Sequence, residues 1–187
     1  MSRPRIVGVS GSTRRPSRTT ALVEIVAQEV ARRREISFTL FDLAEIGPGL
    51  GAFSRADLPE AGRAALEAIE EADGLIVGSP IYKGSYAGLF KHLFDFVEPE
   101  ALHGRPVVLA ATGGGRRHAL AVEHQLRPLF GFFSALTLPT ALYAGDEDLQ
   151  GGTVTDPLTR DRIAQAAAEL AAHAVPRPRA ARLDRVA

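Results

Sequence analysis

Short apolar runs, several of them nearly all apolar, alternate along this chain with segments of helical period, and that alternation constrains the fold more than any other feature. The runs fall at residues 5–10, 36–43, 74–79, 106–111 and 137–143, with Leu75-Ile76-Val77 and Val107-Val108-Leu109 showing their character. Strands that are apolar on both sides belong to a parallel sheet covered on both faces. Between the runs lie amphipathic stretches. Leu22, Ile25, Val26 and Val30 share one face of the first, and Leu66 and Ile69 mark the second, which runs from Pro59 to Asp73. Leu89, Phe90, Leu93, Phe94 and Val97 form a broad stripe in the third. A fourth begins near His118 and includes Leu120, Leu126, Leu129 and Phe130; the last, alanine-rich, spans about 157–174.

Five βα units in this order predict an α/β, flavodoxin-like fold: a five-stranded parallel doubly wound sheet with helices on both faces. One domain is expected over residues 1–175. A flexible tail rich in proline and arginine is expected over 176–187, with a clamp onto a neighbouring subunit as the alternative. The 187 residues suffice for a real core, and 45% hydrophobic with 24% charged residues is ordinary globular composition. Twenty-two basic residues balance 22 acidic ones, so no global field points to nucleic acid. The absence of cysteine removes disulfides, thiolate metal sites and thiol catalysis together. No apolar stretch reaches membrane-spanning length and no signal-peptide core opens the chain, so a cytoplasmic protein without a membrane partner is expected.

In open α/β sheets ligands gather outside the carboxyl ends of the strands, which directs attention to the loops after the first, third and fourth runs. The first loop, Ser10-Gly11-Ser12-Thr13-Arg14-Arg15-Pro16-Ser17-Arg18-Thr19-Thr20, joins a strand to a helix. Hydroxyls, backbone N–H groups, a helix N-terminus and three arginines there suit a phosphate monoester. The loop has neither the GxxxxGK[ST] of a P-loop nor the GxGxxG of a dinucleotide fold, which argues against ATP and against tightly held NAD. Its plainer alternative is a polar turn whose Ser17 merely caps the helix.

Ser79-Pro80-Ile81-Tyr82-Lys83-Gly84-Ser85-Tyr86 follows the third run. It reads either as a lining for a planar heterocycle or as an ordinary loop with a packed tyrosine. Thr112-Gly113-Gly114-Gly115-Arg116-Arg117-His118 follows the fourth, its glycines leaving room for a ring against the backbone or simply making a flexible loop. Together the three loops describe a site for FMN. Of the clustered Arg14, Arg15, Arg116 and Arg117, one is a candidate for selecting NADPH by its extra phosphate. His92 and His118 lack carboxylates at ligand spacing, so no metal site is expected. Phe130-Gly131-Phe132-Phe133 suits an oligomer face or the core equally.

Taken as a set, these segments resemble the NAD(P)H-dependent FMN reductases of two-component flavin systems, and especially those serving alkanesulfonate and methanesulfonate monooxygenases. The shared stretches are residues 11–19, 79–86 and 89–95, together with Ala111-Thr112-Gly113-Gly114 and the run His118–Leu129. The likeness covers about residues 5–175. It implies that Ser10, Ser12, Arg14, Ser17, Arg18 and Thr19 hold the FMN phosphate. It also implies that Pro80, Ile81, Tyr82, Lys83, Gly84 and Ser85 line the ring and ribityl chain, and that Thr112, Gly113 and Gly114 close the other side. NADPH or NADH would be co-substrate and reduced FMN would pass to a partner monooxygenase, with the redox chemistry supplied by the flavin and no catalytic side chain named. The resemblance places His124 in a π-bulge of the fourth helix at a subunit interface, in a homodimer or homotetramer; a partly buried, hydrogen-bonded histidine is the alternative. Two other readings share the fold: an FMN-bound quinone, azo or chromate reductase, and a non-enzymatic flavodoxin-type electron carrier.

Overall fold

The computed structural model describes residues 2–177. Strand β1 (Arg5–Ser10) leads through the first loop into α1 (Arg18–Ala31); β2 (Ser37–Asp42), the short α2 (Leu43–Ile46) and α3 (Glu60–Glu71) follow. Next come β3 (Gly74–Tyr82), β4 (Ser85–Tyr86), α4 (Gly88–Asp95) and β5 (Pro106–Thr112). A π-helical segment (Val122–Leu126) runs into α5 (Arg127–Phe132). Strands β6 (Leu136–Thr137), β7 (Leu142–Ala144), β8 (Leu149–Gln150) and β9 (Thr153–Val154) precede α6 (Pro157–His173).

The main sheet runs β2-β1-β3-β5, with β6 and β7 both beside β5, all parallel, and β4 pairs antiparallel with β3. The sheet therefore has seven strands and not the expected five. Pro139 lacks the N–H that a ladder needs, so the last run breaks into β6 and β7. Beside it Thr140 turns to α6, its N–H and hydroxyl both donating to Glu169, at 3.0 and 2.6 Å. The other addition is β4, because β3 continues past Ser79 and folds back as a hairpin.

Helices cover both faces, as the apolar runs demand. Leu22, Val26, Ile163 and Leu170 of α1 and α6 pack on one face with Ile6, Ile76 and Val108. Leu66, Phe90, Phe94 and Phe130 of α3, α4 and α5 pack on the other with Val7, Val77 and Leu109. Phe94 anchors that layer, its ring 4.9 Å from those of both Phe90 and Phe130. Phe130 and Phe133 are core, whereas Phe132 is 71% exposed.

Two glycines set how closely α1 approaches the sheet. A Cβ on Gly8 would lie 2.8 Å from a methyl of Val23, and one on Gly78 2.7 Å from the other. With no side chain at either place, α1 settles onto β1 and β3, which fixes its N-terminus at the carboxyl ends of the strands. Where the tail was expected, the Arg177 N–H donates to Asp73 Oδ1 at 3.0 Å; residues 178–187 lie outside the described residues. Among the described residues no helix is long and apolar enough to cross a membrane.

Candidate functional site

The loops after β1, β3 and β5 lie side by side because those strands are neighbours in the sheet. Hydroxyl pairs bind them together. Ser10 Oγ meets Thr20 Oγ1 at 2.8 Å, and the buried Thr19 Oγ1 meets Thr112 Oγ1 at 2.6 Å, joining the first turn of α1 to the ends of β1 and β5. The Gly11 N–H donates to the Gly78 carbonyl at 2.7 Å, fastening the first loop to β3. Ser10, Thr19 and Thr112 thus have their hydroxyls engaged inside the protein.

What remains facing outward in the first loop is a set of donors. Ser17 caps α1, accepting from the Thr20 N–H at 3.1 Å, and keeps its own hydroxyl proton for another acceptor. The N–H groups of Arg18 and Thr19 belong to the first turn and have no partner within the helix. Ser12 is buried beneath them, its hydroxyl accepting from the Arg14 N–H and donating to the Arg14 carbonyl, both at 3.3 Å, and so holds the bend. The three arginines diverge. Arg15 swings away to Asp42, at 2.8 and 3.0 Å, and to Glu45, bonds that raise its pKa, with Asp42 the larger cause. Arg18 pairs closely with Asp146, and Arg14 is exposed.

After β3 the chain makes a two-residue hairpin, Ile81 facing Tyr86 and Tyr82 facing Ser85. Lys83 (φ 52°) and Gly84 (φ 84°) both take positive φ, as a type I′ turn requires. Ser79 Oγ accepts from the Ala87 N–H at 3.0 Å and donates to Pro80 O, bracing the base of the hairpin. Ser85 Oγ donates to Gln125 Oε1 at 3.1 Å, which ties the hairpin to the π segment. Tyr82 is 44% exposed at the rim.

The glycines after β5 have distinct reasons. A Cβ on Gly113 would lie 2.5 Å from the Tyr143 hydroxyl, which donates to the Gly115 carbonyl at 2.6 Å. Gly115 has φ 72°, and its Cβ position, like that of Gly84, faces open space. Burial, then the charge of Asp146, push the Tyr143 phenol above its usual pKa, so it stays a hydrogen-bond donor. The arrangement is an anion cradle at one end and two thin, open backbone walls at the other, which fits a phosphate-tailed planar ring.

Residues 4–150 match the family described as NADPH-dependent FMN reductase. The chain belongs to that family. It is therefore an oxidoreductase that uses FMN and NAD(P)H. It is 49% identical over 169 residues to the NADH-dependent FMN reductase SfnF of Pseudomonas fluorescens, covering 89% of this chain and 90% of that one. It is 46% identical over 164 residues to an FMN reductase (NADPH) of Pseudomonas aeruginosa, covering 87% and 88%. An oxidoreductase from Corynebacterium diphtheriae superposes with a TM-score of 0.83 at 32% identity, covering 94% of this chain and 99% of that one.

For this reductase, sequence reasoning did not find Tyr143, Asp146 or Gln125. Each reaches the site from a segment distant in sequence, and no local pattern marks them. His124 lies in the π segment and is exposed. Among the described residues no three histidine or acidic side chains gather as a metal site, and His92 Nε2 lies 3.0 Å from the Ala52 carbonyl.

Proposed function

We propose that this FMN reductase delivers reduced FMN to a partner monooxygenase that cleaves organosulfur compounds such as sulfonates, with flavin entering and leaving as a substrate. The openness of the site is the observation that supports this most. The walls beside the ring position end in Gly84 and Gly115 with nothing near their Cβ positions, so the outer face stays reachable. Bound FMN supplies the redox chemistry by accepting hydride from the nicotinamide at N5. The protein binds and orients. Ser12, Arg14, Ser17 and Arg18, with the first-turn N–H groups of α1, receive the phosphate. Ser10, Thr19 and Thr112 hold that cradle against the sheet. Pro80, Ile81, Tyr82, Lys83, Gly84 and Ser85 line one side of the ring and ribityl chain, Gly113 and Gly114 the other. Soluble FMN should raise NAD(P)H oxidation by the purified protein to a saturating rate. A rate independent of added FMN but dependent on quinone would refute the exchanging-substrate reading.

We also propose assembly as a homodimer or homotetramer through the π segment. The exposed His124 and Phe132 flank a groove of about 650 Å³ lined by Tyr86, Phe94, Phe96 and Pro128. Substituting His124→Ala should lower the sedimentation coefficient and slow flavin exchange; unchanged sedimentation would refute the interface.

A further inference from the structure

Asp146 stands where a phosphate-binding site has least use for a negative charge. Its carboxylate pairs closely with Arg18, the cation at the head of α1, and its Oδ2 lies 3.7 Å from the Cβ position of Gly114. It therefore spans the gap between the anion cradle and the glycine wall. Neither Arg18 nor Asp146 is deeply buried, with side chains 39% and 63% exposed, so the pair can open. Asp148, by contrast, is structural, accepting from the Gly145 N–H at 2.8 Å. Arg15 is held on the other side by Asp42 and Glu45, which leaves Arg18, the first residue of α1, as the loop arginine paired with Asp146.

We infer that Asp146 is a flavin-release residue: it competes with the FMN phosphate for Arg18 and keeps the flavin exchangeable. This rests on the reading of the first loop as the FMN phosphate site. An incoming phosphate dianion must either displace the carboxylate from Arg18 or share the guanidinium with it. In both cases like charge opposes binding, whereas Asp146→Asn leaves Arg18 free for the phosphate. The penalty falls on the phosphate and not on the ring, so it separates FMN from riboflavin.

The test is a fluorescence titration of the full chain with FMN and, in parallel, riboflavin. Asp146→Asn and Asp146→Ala are compared with wild type and with Glu147→Gln, which makes the same charge change one residue away. Both Asp146 variants should bind FMN about tenfold more tightly, ~1.4 kcal/mol, and riboflavin as wild type does. Raising the salt should shrink the gain. FMN affinity unchanged or weakened in the folded variants would overturn the inference, as would equal tightening for riboflavin or in Glu147→Gln. Failure of wild type to bind FMN would instead overturn the phosphate-site reading, and this inference with it.

Discussion

Adding one methyl group at Gly113 tests how the glycine wall is built. The residue does not sit at positive φ, so alanine meets no backbone strain there and would restrict the unfolded chain, a gain of about 0.4–1 kcal/mol. Against this, the new Cβ lies 2.5 Å from the Tyr143 hydroxyl, well inside contact distance. A phenol ring cannot fold its tip aside as a lysine would, so the whole ring must shift. That shift loses the 2.6 Å bond to the Gly115 carbonyl, about 0.5–1.5 kcal/mol, on top of an overpacking cost of about 1–3 kcal/mol. The net loss is about 2 kcal/mol, a fall of roughly 4–8 °C in Tm for a domain of this size. The atom next in reach, Tyr143 Cζ, is at 3.4 Å, an ordinary contact. In a Tyr143→Phe background the same methyl should therefore cost nothing, and the two substitutions should couple by about 2 kcal/mol. Thermal unfolding of the four proteins measures this. Equal losses from Gly113→Ala in both backgrounds would show that the hydroxyl is not what the glycine accommodates.

Two other expectations follow from the caps. Ser17→Ala removes the acceptor for the Thr20 N–H at the head of α1, and should cost about 1 kcal/mol in chemical denaturation while also weakening FMN binding. A loss of stability with FMN affinity intact would place the phosphate elsewhere. Asp156 caps α6, and hydrogen bonds from the Thr159 N–H and then its hydroxyl lower its pKa below the usual 3.8. Its charged form is favoured in the folded state, so its stabilisation is present above about pH 4 and is lost as pH falls through the lowered value. The Tm difference between wild type and Asp156→Ala should be constant from pH 7 to pH 5 and narrow below 3.8; a difference that widens in acid would contradict the assignment.

Much of the architecture was legible before any coordinates. Runs such as Val107-Val108-Leu109 must be covered on both faces, and α1 and α4 announce themselves by apolar residues at helical spacing, because burial imposes the period of each element directly on the sequence. The position of the site was legible too, since alternating strands and helices place the functional loops at the carboxyl ends of the strands. The π segment was open to expectation only through resemblance, because one extra residue shifts the apolar phase only once, and a short helix has too few turns on either side for that shift to stand out. The fifth strand misled: residues 137–143 read as one run across Pro139, but the ladder needs an N–H that proline lacks.

The sequence alone determined that this chain forms a covered parallel sheet with hydroxyls, arginines and glycines at its carboxyl ends. Tertiary structure decided which of those groups are free to act. Arg14, Arg15 and Arg18 are equivalent on paper. They become different because β2 lies beside β1 and brings Asp42 and Glu45 to Arg15, while β7 lies beside β5 and its following loop brings Asp146 to Arg18. The need for glycine at 113 likewise comes from Tyr143 on the neighbouring strand. Charge pairing and close contact act over a few ångströms in space, and only the order of strands in the sheet sets which residues come that close.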